Sequence, residues 1–209
     1  SGDITLSSVT LSDSAGLTIG GNTASNISVA SLAGTDGGGR SNVFFHTAGT
    51  LTVTGAVGTD IGMLILTRAE GAVFEDSVSV DTVILANDVA QSGKLVSFEG
   101  NVTVGSSMTV DTGAYDVSFT GDANSIAGAT TFANTGTVTL GNASGDSIDF
   151  TGGLTATAPV KVVTAGTVET HGQAMSLGTV EMSANTTLNT VNSPGADITI
   201  GTLTGSDDF

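Results

Sequence analysis

Clusters of three residues reading apolar, hydroxyl or small, apolar recur along the chain, many followed closely by glycine. They include Ile4-Thr5-Leu6, Leu17-Thr18-Ile19, Leu51-Thr52-Val53, Val102-Thr103-Val104 and Met108-Thr109-Val110. Further along come Val117-Ser118-Phe119, Val138-Thr139-Leu140, Ile148-Asp149-Phe150, Met175-Ser176-Leu177 and Ile198-Thr199-Ile200. Alternation with period two over so few residues, closed by a turn residue, predicts short half-buried strands. No window carries a 3.6-residue apolar stripe, so the expected class is all-β.

Spacing adds the architecture. Phe98 to Phe119 and Phe119 to Leu140 each span 21 residues, and Leu177 to Ile200 spans 23. The flanks repeat as well, as Val96-Ser97-Phe98-Glu99-Gly100, Val117-Ser118-Phe119-Thr120-Gly121 and Val138-Thr139-Leu140-Gly141. Leu140 and Leu177 are 37 residues apart with an extra strand at Ile148–Phe150 between them, so the repeat looks imperfect there. A period near 20 holding several short strands predicts coils stacked into a parallel β-solenoid. Each coil turns at Gly, Asn and Asp corners, points its apolar members inward and bonds to the coils above and below. Roughly ten coils of about 20 residues, ~4.8 Å apart, predict a rod about 45–50 Å long.

The alternative is a tandem of β-sandwich domains, whose strands usually run ~5–6 residues with turn signals every ~8–12. The strands here are shorter and the turn signals closer. Residues 61–90 are the least repetitive, with Met63-Leu64-Ile65-Leu66 and Val83-Ile84-Leu85 as continuous apolar runs. They predict fully buried strands or a change of register where the solenoid widens. No linker divides the chain, so residues 1–209 are expected to be a single solenoid segment. With no Met at the start and the pattern still running near the end, a piece of a longer repeat protein is expected.

Composition narrows the function classes. Aromatic residues are only 4% and tryptophan is absent, which suits a thin core, while 30 glycines supply corners. Twenty Asp+Glu against four Lys+Arg give a formal charge of −16. Such a chain repels nucleic-acid phosphates and anionic lipid head groups. Without cysteine there is neither a disulfide framework nor a thiolate metal site. No apolar run approaches the ~18 residues of a membrane-spanning helix.

The stretch Thr130-Thr131-Phe132-Ala133-Asn134-Thr135-Gly136-Thr137-Val138-Thr139-Leu140-Gly141 resembles the repeats of giant bacterial surface proteins. So does Phe150-Thr151-Gly152-Gly153-Leu154-Thr155-Ala156-Thr157-Ala158-Pro159. These proteins belong with the filamentous-haemagglutinin and autotransporter-passenger class, and the likeness is clearest over residues 95–203. The resemblance implies a right-handed parallel β-helix, export to the cell surface, and a role in adhesion, biofilm or envelope structure. It carries over no catalytic residue.

Candidate chemistry is sparse. Thr35-Asp36-Gly37-Gly38-Gly39-Arg40 approaches the repeat-borne Ca²⁺ nonapeptide but fails on spacing and repetition. The corners Asp122 with Asn124 and Asn142 with Asp146 offer oxygens to a cation, although Asp and Asn are also ordinary turn residues. A polysaccharide-cleaving β-helix needs clustered carboxylates beside a cation. Here Arg40, Arg68, Lys94, Lys161, His46 and His171 are scattered in sequence, and the paired acids Glu75-Asp76 and Asp207-Asp208 read as a turn and a tail. Two histidines 125 residues apart read as coil-edge residues rather than a metal pair. Thr-x-Thr steps such as Thr137-Val138-Thr139 and Thr50-Leu51-Thr52 are too irregular for a flat ice-binding face. Gly37-Gly38-Gly39 lacks the Lys-Ser/Thr of a phosphate loop. The sequons at Asn26, Asn101, Asn142 and Asn185 are expected by chance in so Ser/Thr-rich a chain.

The expectation is therefore a structural or adhesive module with no assigned catalytic, cofactor or metal residue, Ca²⁺ being the ion to test. Expected partners are further coils, of the same chain or of a second copy, and cell-surface glycans or proteins. The expected location is the bacterial cell surface or the extracellular space.

Overall fold

The computed structural model describes residues 2–23, 25–58, 60–86, 93–191 and 196–205. Among these residues are twenty β-strands and no helix, joined in one sheet in which each strand pairs in parallel with one a coil away. Parallel pairing throughout overturns the sandwich alternative, whose sheets are antiparallel. The chain is a parallel β-solenoid.

Three ladders of equivalent positions run the length of the rod. The first passes through Ile4, Ile27, Leu51, Ala72, Val96, Val117, Val138, Val162, Val180 and Leu203. The second passes through Val9, Leu32, Val57, Val78 and Val102, and its outward neighbours continue through Thr103, Ser125, Asp149, Glu169 and Asn189. The third passes through Leu17, Val43, Leu64, Val83 and Met108, and its outward neighbours continue through Thr109, Thr131, Thr155, Ser176 and Thr199. Each turn of chain visits the faces in that order, so the cross-section has three sides.

On the first face the coil step varies from 24 residues (Val138 to Val162) to 18 (Val162 to Val180). Over the nine steps from Ile4 to Leu203 its mean is closer to 22 than to 20, so the turns are somewhat fewer than the roughly ten expected. At ~4.8 Å per turn the rod is about 40 Å long. All ten apolar triplets read from the sequence lie in strands. Within 61–86, strands Ile61–Arg68, Ala72–Phe74 and Val78–Leu85 keep the same order of faces, with register shifts against strand Ser41–His46 at both ends of Ile61–Arg68. Residues 87–90 of that stretch lie outside the described residues.

The inward ladders close a dry core. Phe45, Phe74, Phe98, Phe119, Phe132 and Phe150 are all fully buried. Phe74, Phe98 and Phe119 occupy successive rungs of the first face and stack nearly parallel, with centroids 5.0 and 5.1 Å apart and planes within 8° and 9°. The coil rise itself sets that distance. From Phe119 the aromatic contacts cross the core, edge-on, to Phe132 at 6.2 Å and on to Phe150 at 6.1 Å.

Asn124 and Thr164 are among the polar residues at inward rungs. Asn124 is buried between the Val102 and Ile148 rungs. Its Oδ1 accepts from the Val102 amide at 2.9 Å, and its Nδ2 donates to the Gly121 carbonyl at 2.8 Å. Both ends of the amide are satisfied, so burial is tolerated. Thr164 replaces the Phe and Leu of preceding rungs and lies with its hydroxyl 3.3 Å from that of Thr186.

Corners are tight where coils touch backbone to backbone. At Gly121 a Cβ would lie 2.4 Å from the Gly100 carbonyl oxygen and 2.5 Å from its carbon. At Gly145 nothing lies within 4 Å.

Tyr115, the sole tyrosine, is fully buried at the corner leading into the first face, its hydroxyl donating to the Asp111 carbonyl at 3.0 Å. Burial, and secondly the Asp111 carboxylate, push its phenol well above its ordinary value. The fold thus favours the neutral phenol, and the unfolded chain releases this proton first, from about pH 10. The contribution of Tyr115 to stability is complete below that pH and is lost as pH rises toward the folded-state value. In an alkaline titration, phenolate absorbance should appear together with loss of the β-sheet circular dichroism. Phenolate appearing near pH 10 with the sheet signal intact would contradict this placement.

Candidate functional site

In a solenoid triplet the first and third residues point inward and the middle one outward. Ile148 and Phe150 are buried, which turns Asp149 out from strand Ser147–Phe150. Val168 and Thr170 are likewise buried, which turns Glu169 out at the end of strand Lys161–Glu169. The two strands pair with Asp149 directly opposite Glu169. Two carboxylates therefore stack on successive rungs of the second face, an arrangement that is repulsive without a compensating cation.

His171 supplies a third group at the corner that follows. The Thr170 amide donates to the Asn189 carbonyl at 2.9 Å and its hydroxyl to the Gln173 carbonyl, while Gly172 adopts a φ of 70°. That turn swings the imidazole back over the column. Its Nε2 lies 3.3 Å from Asp149 Oδ2 and 4.0 Å from Glu169 Oε1. The Thr151 hydroxyl donates to the same Asp149 Oδ2 at 3.2 Å. The other oxygen, Asp149 Oδ1, is buried without a hydrogen-bond partner. Among the described residues this is where three Asp, Glu or His side chains bring ligand atoms within 4.8 Å of one another. Side-chain exposures of 22% for Asp149, 29% for Glu169 and 47% for His171 place the cluster in a half-open position.

The other residues singled out in the sequence sit apart. Arg40 precedes the third face and pairs with Asp81 at 3.2 Å. Lys161 begins a first-face strand and bonds Glu181 at 2.9 Å. Both pairs are partly exposed and contribute little to stability. Arg68 ends strand Ile61–Arg68, opposite His46 in register, while Lys94 lies just before strand Leu95–Phe98. His46 is held by Asn22 Oδ1 at 2.6 Å and the Thr67 hydroxyl at 3.0 Å, far along the rod from His171.

The proposed cation corners have other work. Asn124 points into the core, and the Asp146 carboxylate caps its own turn, accepting from the amides of Asn142 at 2.7 Å and Ala143 at 2.9 Å. The Asp13 carboxylate accepts from the Thr35 hydroxyl at 2.7 Å, beside the Gly37-Gly38-Gly39 turn. Asp207 and Asp208 lie outside the described residues.

A shallow depression lined by Met182, Ala184, Asn185 and Thr186 marks the corner where the last turns enter the second face, and it includes no residue of the Asp149 cluster. Among the described residues, His171 lies within 3.3 Å of Asp149 and 4.0 Å of Glu169. Asp149 was legible as the middle residue of the Ile148–Phe150 triplet, whereas Glu169, in Val168-Glu169-Thr170, lies in no apolar triplet.

Comparison with protein-family profiles, with curated proteins and with solved structures finds no match for this chain.

Proposed function

We propose that this chain is a structural module, a rigid shaft or filament-forming subunit of a secreted or surface-exposed bacterial protein, working through coil stacking. The observation that carries the reading is the state of the two end rungs. Leu203 sits on the inward first-face ladder opposite fully buried Val180, yet is 53% exposed, and Ile198 on the third face is 39% exposed. At the other end Ile4, Leu6 and Val9 are only partly buried. Among the described residues, the outermost rungs thus carry partly exposed apolar side chains onto which another coil can pack. In the filament reading that coil is a second copy of this chain.

Adhesion and surface location rest on the resemblance of Thr130–Gly141 and Phe150–Pro159 to bacterial surface repeats, and on the acidity that keeps such a rod soluble. Sedimentation velocity and negative-stain microscopy across a concentration series test the stacking. The expected particles keep one width and grow in increments of about 40 Å. Leu203→Lys, at a position already open to solvent, should restore single rods. Wild-type rods that stay single at the highest concentrations would sink the filament reading.

A further inference from the structure

We propose that Asp149, Glu169 and His171 form a binding site for a divalent transition-metal ion of the Zn²⁺ type, which clips two successive coils together on the second face. The donor set points to this ion class. Imidazole nitrogen with carboxylate oxygen suits Zn²⁺ and its neighbours, whereas Ca²⁺ takes about 6–8 oxygens. Ligands about 2.0–2.2 Å from a tetrahedral ion lie about 3.4 Å from one another. His171 Nε2 and Asp149 Oδ2 already stand 3.3 Å apart. Glu169 Oε1, at 4.0 Å from the imidazole, needs a shift of about half an ångström, which a partly exposed glutamate makes by a small rotation.

A second observation is independent of the clustering. Buried polar atoms find partners, and Asp149 Oδ1 has none. A carboxylate that keeps one oxygen dry and unpaired, beside a second carboxylate and an imidazole, is short of one positive partner. A protonated His171 would supply one charge at Oδ2 and leave Oδ1 as it is. A cation seated among the three groups neutralises both acids, and a bidentate carboxylate brings Oδ1 into use. The ligands come from two rungs, Asp149 from one and Glu169 with the following His171 from the next. Binding therefore ties neighbouring coils together and stabilises the fold by mass action.

The test is calorimetric titration of the whole chain with ZnCl₂ at neutral pH, with Co²⁺ absorption as a spectroscopic check and CaCl₂ as comparison. The expected result is saturable binding of one equivalent of Zn²⁺, ligand-field bands with Co²⁺, a higher thermal midpoint in zinc and no saturable response to Ca²⁺. Losing even an outer-shell partner costs a metal site about 10–100-fold in affinity, so His171→Ala should weaken binding by at least about tenfold. His171 is half exposed, so this variant should fold as wild type, which circular dichroism without metal verifies. His46→Ala, which removes the other histidine, should bind as wild type. Absence of saturable zinc binding, its retention in His171→Ala, or an equal response to Ca²⁺ would each overturn the proposal.

Discussion

Replacing Phe98 with alanine should lower the unfolding free energy by about 3–5 kcal/mol. The ring is fully buried and sandwiched between Phe74 at 5.0 Å and Phe119 at 5.1 Å. Truncation removes its own burial and breaks two aromatic contacts, each contributing about 0.5–1.5 kcal/mol beyond area. The void has little means of closing, because the coils above and below are held at fixed rise by ladders on all three faces. In a rod where each coil touches only its neighbours, the lost contacts divide the molecule into two half-rods. Urea titration followed by circular dichroism should show a lower midpoint, with a broadened transition if the halves unfold separately. Leu6→Ala, on a partly buried terminal rung, should cost much less. Equal losses at the two sites would mean that the aromatic column adds nothing particular to the core.

Gly121→Ala should be as damaging although it adds only a methyl group. The new Cβ would sit 2.4 Å from the Gly100 oxygen, 2.5 Å from its carbon and 2.7 Å from the Asn101 nitrogen. These are backbone atoms of the preceding coil, with no flexible side chain to move aside. Either the coils separate at this corner, or strand Asp116–Phe119 slides relative to strand Leu95–Phe98 and unseats the Phe98–Phe119 stack. The corner also positions Asn124, whose Nδ2 bonds the Gly121 carbonyl, so the strain reaches a buried amide. A loss of several kcal/mol is expected, of the order seen when overpacking and a broken buried hydrogen bond combine. Gly145→Ala, with open space around it, is the control and should shift the urea midpoint hardly at all. A Gly121→Ala protein as stable as that control would show that the two coils do not touch backbone to backbone at this corner.

Much of this fold was legible because strand triplets a coil apart share a physical constraint. Val96, Val117 and Val138 must all point inward, so the 21-residue spacing survives in plain view. The apparent break between Leu140 and Leu177 has a different cause. Leu140 belongs to the first face and Leu177 to the third, so the two were never equivalent. The true partner of Leu140 is Thr164, a polar residue at an inward position, and hydrophobicity alone hides that rung. The extra strand at Ile148–Phe150 is the second face of the same coil. The coil count was overestimated because corners absorb insertions that leave triplets untouched.

The Asp149 cluster was only half legible. That acids at middle positions face outward follows from the pattern. Their adjacency requires the register across a step of 20 residues, and the reach of His171 depends on the positive φ of Gly172, which the sequence suggests only as a turn. Stacking places His46 and His171 on distant coils.

Inter-coil hydrogen bonds in this rod run parallel to its axis, and that orientation decides how the molecule meets force. Tension applied through the two chain ends does not load the ladders together; it falls on the terminal rung and opens it like a zipper, a few bonds at a time. Each freed turn releases about 22 residues, roughly 75 Å of extended polypeptide, in exchange for ~4.8 Å of rod. A rod built this way yields by unreeling instead of snapping. It dissipates a sudden pull turn by turn while the remaining coils stay wound.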